Sequence, residues 1–177
     1  MRIKPVHVPE DDCYRVYLIG KGLRQQVGSD FTYTEDTQGD TWIKCLSYAK
    51  ELEDQLEYYK DKPILGICFG FQLINKYFGG DMGKSDNFLN QTHSLNIIEN
   101  GRFFKTTNSG KYKFYNSDIV TKPGIGFIPK TTQYNKWGIA TIIEHKKLDI
   151  IGTQFHPEIS GASGEKILTK FIKLCNS

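Results

Sequence analysis

Apolar positions along this chain fall into two rhythms, one of period near 3.6 and one of period two or of short unbroken runs. Trp42 to Tyr59 has the first rhythm, with Trp42, Leu46, Ala49, Leu52, Leu56 and Tyr59 on one face. It predicts an amphipathic helix capped by Asp40 or Thr41. Phe71 to Phe78 has the same spacing and stops at Gly79-Gly80, a fitting helix end. Gly164 to Cys175 is a third predicted helix, buried through Ile167, Leu168, Phe171, Ile172 and Leu174. The run Pro63-Ile64-Leu65-Gly66-Ile67 predicts a buried parallel strand. Ile3 to Val8, broken by Pro5, predicts an edge strand. Tyr14 to Ile19 predicts a strand that runs into Gly20-Lys21-Gly22, and residues 28–40 predict a loop. Between 81 and 151 the pattern changes to short β-like runs: Ser94 to Ile98, Lys111 to Tyr115, Gly126 to Ile128, Gly138 to Glu144 and Asp149 to Phe155. Strand and helix alternate, then strands follow and a helix closes. This order predicts an α/β fold with a mostly parallel central sheet flanked by helices, and short antiparallel strands over 90–145. Nothing in the pattern divides the chain, so residues 1–177 are expected to form a single domain.

Composition narrows the class. The chain has 177 residues, 38% hydrophobic and 24% charged, and can bury a core without disulfides. Twenty-three basic against 20 acidic residues leave +3 net, with no basic block, so neither nucleic acid nor an anionic membrane is an expected partner. No apolar run is long enough to cross a bilayer, and Met1 to Pro5 has no signal-peptide core. Cys13, Cys45, Cys68 and Cys175 are widely spaced, with no Cys-x-x-Cys pair. They read as reduced thiols in a cytoplasmic setting, not as a zinc or dithiol site. Gly161-Ala162-Ser163-Gly164-Glu165-Lys166 has the wrong spacing for a phosphate loop, and helix capping explains it better. Neither a cofactor nor a metal is expected.

Two segments bear chemistry. Gly66-Ile67-Cys68-Phe69-Gly70 has the Gly-x-nucleophile-x-Gly form of a nucleophile elbow. A tight turn between strand and helix needs small residues on both sides. It would raise the Cys68 thiol at a helix N-terminus, where backbone N–H groups and the dipole favour the thiolate. The Phe69 N–H is then placed to donate to an oxyanion. The bland alternative is a buried cysteine in an ordinary turn. The second segment, Gly152-Thr153-Gln154-Phe155-His156-Pro157-Glu158, follows an apolar strand. Pro157 favours an extended His156, so His156 and Glu158 are expected on one side, the carboxylate behind the ring. A cysteine, a histidine base and a carboxylate that orients it form a nucleophilic triad.

These segments resemble the class I, triad-type glutamine amidotransferases. The matching stretches are Pro63 to Ile74, Lys76 to Gly80, Gly152 to Glu158 and the closing Ile167 to Phe171. The resemblance implies a flavodoxin-like fold and a glutaminase in which Cys68 attacks the side-chain amide of L-glutamine. His156 acts as base and then acid, Glu158 orients it, and glutamate and ammonia are released. It also implies that Gly70 and Gln72 help to hold glutamine, although composition alone allows Gln72 to be a surface residue. Gly20-Lys21-Gly22 would complete the oxyanion hole, with Ile19 where the family has proline. Asn116 and Ser117 would lie at the glutamine pocket, with Asn116 where some members have histidine. His93 lies in the same middle region.

Family members have a full strand and helix ahead of the stretch that Ile3 to Val8 matches, so the N-terminal strand–helix unit is expected to be curtailed. The resemblance is to free-standing glutaminase subunits such as those of GMP synthase or imidazole glycerol phosphate synthase. It implies ammonia delivery to a separate synthase. A γ-glutamyl hydrolase or peptidase would use the same triad, and a catalytically silent interaction module is the third reading.

Overall fold

The structure is a computed structural model that describes residues 6–8, 13–15, 61–85, 88, 90–115, 118–132, 136 and 138–175. The predicted helix over 42–59, the loop over 28–40 and the Gly20-Lys21-Gly22 loop lie outside the described residues. Strands β1 (Val6–Val8) and β2 (Cys13–Arg15) pair antiparallel, with His7 opposite Tyr14.

The central sheet has four strands. Strand β3 (Ile64–Ile67) pairs parallel with β10 (Ile150–Thr153), Ile64 opposite Ile150 and Ile67 opposite Thr153. Strand β10 also pairs antiparallel with β9 (Ile142–His145), which pairs antiparallel with β8 (Phe127–Pro129). The sheet is therefore mixed among the described residues, with one parallel pairing in three. The alternation of side chains sorts its two faces. Leu65, Ile67, Ile142 and Ile151 face a core shared with Ile167 and Phe171 of helix α2 (Gly161–Cys175). Ile64, Ile143 and Ile150 face the opposite core, with Phe71 and Ile74 of helix α1 (Phe69–Tyr77). Each helix covers one face of the sheet, and the α/β reading of the sequence stands.

Two antiparallel pairs flank this sheet. Strand β4 (Asp81–Lys84) pairs with β7 (Asp118–Lys122) through a bulge at Asp81/Met82. The sequence pattern did not predict either as a strand. Both are short and largely polar, with Ile119 and Val120 the buried residues of β7 and no fully buried residue in β4. The buried Asn75 joins this pair to α1, its Nδ2 donating to the Asp81 and Lys122 carbonyls and its Oδ1 accepting from Gly124 N–H. Strand β5 (Gln91–Leu95) pairs with β6 (Gly110–Phe114). Its predicted span began at Ser94, because the first four residues are polar and only Leu95 is buried. Two helices begin before their apolar pattern does. Helix α1 starts at Phe69, not Phe71, and α2 starts at Gly161, not Gly164.

Gly164 shows why α2 begins where it does. A Cβ at that position would stand 1.8 Å from the Pro157 carbonyl oxygen. Only glycine lets the first turn of α2 press against the segment that bears His156 and Glu158.

Candidate active site

Cys68 links β3 to α1 at φ 52° and ψ −103°, outside the regions that a side chain normally adopts. The turn is closed from both sides. A Cβ on Gly66 would lie 2.5 Å from Ile74 Cδ1, 2.7 Å from the Gly70 carbonyl carbon and 2.8 Å from its oxygen. The first glycine of the elbow is thus needed because the helix backbone at the second passes directly over it. Cys68 N–H donates to the Thr153 carbonyl at 2.8 Å, and Gln72 N–H donates to the Cys68 carbonyl at 3.1 Å. The cysteine is bound to the histidine's strand on one side and starts the helix on the other. It is fully buried.

Strand β10 brings the second segment to the same end of the sheet. Because β3 and β10 run parallel with Ile67 opposite Thr153, Cys68 and His156 both leave at the carboxyl end. Ligands of open α/β sheets bind outside that end. His156 is extended, with φ −103° and ψ 92°, as its proline neighbour favours. The extended conformation does not continue to Glu158 as expected. Pro157–Ile159 forms a 3-10 turn, and this turn folds the carboxylate back behind the ring. His156 Nδ1 and Glu158 Oε1 are 2.8 Å apart. A carboxylate only accepts, so Nδ1 carries the proton and neutral imidazole has its lone pair at Nε2. His156 Nε2 and Glu158 Oε2 are buried and make no hydrogen bond to a described residue.

Strand β6 clamps this turn. His156 N–H donates to the Lys113 carbonyl at 2.8 Å, and Lys113 N–H donates to Ser160 Oγ at 3.0 Å. Ser160 Oγ in turn donates to the His156 carbonyl at 2.6 Å. The Tyr115 ring meets the imidazole edge to face at 5.6 Å. Tyr115 and Ser160 were not singled out from the sequence. Their roles follow from the β6 register, which the pattern did not reveal.

Gln72 is not a surface residue, being only 7% exposed. Its Nε2 donates to the Asp118 carbonyl at 2.8 Å and to Gln154 Oε1 at 3.4 Å. Gln154 is fully buried, and its Nε2 lies 3.9 Å from Cys68 Sγ. The sequence reading gave Gln154 no role, although a polar residue two positions before His156 at the end of an apolar strand was a usable signal. Phe69 and Gly70 form the first two residues of α1, whose leading N–H groups have no partner within the helix. Gly20, Lys21, Gly22, Asn116 and Ser117 lie outside the described residues. His93 packs between Phe88 and Phe114, at ring distances of 4.8 and 5.4 Å. Among the described residues, no group of three or more His, Cys, Asp or Glu side chains could hold a metal ion, and no helix is long and apolar enough to cross a membrane.

An elbow cysteine and a carboxylate-backed histidine at the carboxyl end of a parallel strand pair form the arrangement that nucleophilic hydrolases and transferases use. The glutamine amidotransferase class-I family profile matches residues 41–174. A subunit of the glutamine-hydrolysing GMP synthase of Pyrococcus abyssi is 34% identical over 133 residues, covering 73% of this chain and 70% of that protein. Its counterpart in Pyrococcus furiosus is 35% identical over 135 residues, with the same coverage. Among solved structures, one described as a GMP synthase subunit from Thermoplasma acidophilum superposes with a TM-score of 0.66 at 22% identity, over 76% of this chain and 67% of that one. A glutamine amidotransferase from Thermotoga maritima gives 0.55 at 18% identity, over 89% and 62%. This chain belongs to the class-I glutamine amidotransferase family.

Proposed function

We propose that this chain is a single glutaminase domain that hydrolyses L-glutamine through Cys68, His156 and Glu158 and passes the ammonia to a separate synthase. The observation that carries the reading is the bond from Cys68 N–H to the Thr153 carbonyl, 2.8 Å long. It ties the strained nucleophile turn to the strand that leads into His156. His156 Nε2 takes the thiol proton as Sγ attacks the glutamine side-chain carbonyl carbon. The resulting oxyanion is met by the Phe69 N–H and by a donor from Gly20-Lys21-Gly22. His156 then protonates the leaving nitrogen, which departs as ammonia and leaves a thioester on Cys68. Water, deprotonated by His156, attacks the thioester, and glutamate and the thiol are released. Gly70, Gln72, Asn116 and Ser117 are the residues proposed to hold the substrate.

The relatives named above are GMP synthase subunits, so a partner GMP synthase subunit is the proposed recipient of the ammonia. A nucleophilic thiol must stay reduced, which suits a cytoplasmic enzyme. The reading is tested with Cys68→Ala and a glutamine-like electrophile. The variant is expected to fold and release no ammonia, and the electrophile is expected to label Cys68 in the wild type. Ammonia release by Cys68→Ala, or labelling at Cys13, Cys45 or Cys175 instead, would sink it.

A further inference from the structure

Gln154 sits where nothing in the mechanism above uses it. It is fully buried at the carboxyl end of β10, with its side chain between Gln72 and Cys68. The orientation of its amide follows from its neighbours. The Asp118 backbone carbonyl can only accept, so the Gln72 nitrogen must face it, at 2.8 Å. The second hydrogen of that nitrogen points to Gln154, so the Gln154 oxygen must be the atom that receives it, at 3.4 Å. The Gln154 nitrogen is then left facing Cys68 Sγ at 3.9 Å, a long contact within the range for a sulfur acceptor. Gln72 Nε2 donates both ways, to the Asp118 carbonyl and to Gln154 Oε1, and Gln154 Nε2 donates onward to the sulfur.

We propose that Gln154 is a catalytic residue that donates an N–H to the Cys68 thiolate, with Gln72 as the positioning residue that fixes which end of the Gln154 amide faces the sulfur. The inference rests on Cys68 being the nucleophile, as proposed above. A donor aimed at sulfur lowers the thiol pKa, because hydrogen bonding to the charged form favours it. It acts together with the N-terminus of α1. Being uncharged, it holds the thiolate without trapping it as a permanent ion pair. Among the described residues, the titratable groups on the surrounding elements are His156 and Glu158 after β10, Tyr115 after β6, and Asp118 on β7, whose carboxylate is paired with Lys84 at 2.9 Å.

The test titrates the thiolate by its ultraviolet absorbance, as the difference between each full-length protein and the same protein with Cys68→Ser. This readout needs no reagent to reach a buried sulfur and does not move for a merely structural role. Gln154→Met removes the donor at similar length. Gln154→Glu keeps the shape and the acceptor for Gln72, and places a carboxylate against the sulfur. The expected order of Cys68 pKa is wild type, then Gln154→Met about one unit higher, then Gln154→Glu higher still. In glutamine hydrolysis, kcat is expected to fall roughly tenfold in Gln154→Met with KM little changed. Should Gln154→Met fail to fold by circular dichroism, Gln154→Glu decides alone. Wild-type hydrolysis of glutamine with the same thiolate titration in the folded variants overturns this assignment and leaves the nucleophile standing. An ordinary wild-type thiol together with no hydrolysis of glutamine overturns both.

Discussion

Cys68 holds a backbone conformation that costs about 1–3 kcal/mol wherever a side chain is present. The surrounding contacts keep it there: Gly66 under the Gly70 backbone, and the bonds of its N–H and carbonyl to Thr153 and Gln72. For the nucleophile proposed above, this means one pose held before substrate arrives. At His156 the order comes from a charged partner instead. On the proposed mechanism, Glu158 fixes the ring tautomer and stabilises the imidazolium that forms when the thiol proton arrives. Glu158→Gln keeps an acceptor near Nδ1 but removes the charge. Its kcat for ammonia release is expected to fall about 100-fold, with KM and melting temperature little changed. Steady-state kinetics and a thermal melt check this, and a kcat within a factor of about two of wild type would remove Glu158 from the triad.

At the scale of elements, the site depends on how closely α2 and β6 press on the turn between β10 and α2. Gly164→Ala puts a methyl group against the Pro157 carbonyl, and backbone on both sides leaves little room to give. The variant is expected to lose about 2 kcal/mol of stability by urea denaturation and most of its activity, because the displaced turn bears both His156 and Glu158. Unchanged activity at reduced stability would show that the turn does not need this contact. At the far end of β9, His145 lies between Phe78 and Phe127, and its Nδ1 accepts N–H groups from Lys147 and Leu148. Burial lowers its pKa below the usual 6.5, and the nearby charges of Arg102, Lys146 and Lys147 lower it further. The unfolded chain therefore binds the extra proton first as pH falls. The stability contributed by neutral His145 is fully present above 6.5 and is lost as pH drops through the lowered value. The melting-temperature gap between wild type and His145→Gln should be widest above 6.5 and should narrow below it. A gap that widens on acidification would contradict this sign.

The same scale shows what the sequence revealed. Elements with an apolar face were legible: β3, α1, β10 and α2 lie within three residues of their expected starts. Strands β4 and β7 were not, because Asp81-Met82-Gly83-Lys84 buries almost nothing and its partner contributes two apolar residues. Hydrophobic pattern reports burial, and these strands are held chiefly by backbone pairing. The candidate triad was legible because tight turns and a pre-proline histidine leave local marks. The two-glutamine bridge was not, because it joins residues 82 positions apart that become neighbours only through the β3–β10 register.

At the scale of the molecule, among the described residues, α1 and α2 cover opposite faces of one sheet, and the candidate site lies at the carboxyl end of β3 and β10. Ammonia formed there must reach its acceptor before it escapes to water. A synthase docked over it would shield the product from water. Adding the purified synthase is therefore expected to raise glutaminase kcat at least about tenfold. Coupled ammonia and product assays would measure this. Equal turnover with and without the synthase, together with cleavage of γ-glutamyl peptides, would favour a stand-alone hydrolase.

The pairing of β3 with β10 has a further consequence during synthesis. Cys68 and Gln154 are 86 positions apart, so the strand beside the nucleophile and the base itself both leave the ribosome long after the thiol does. Such a non-local contact forms late, after the intervening chain has closed into a loop. A nascent chain ending before Thr153 has the cysteine but not the proposed base, and the elbow has no Thr153 carbonyl to hold it. Partly made chains that lack β10 are therefore expected not to hydrolyse glutamine. On the proposed mechanism, competence arrives only when β10 docks beside β3.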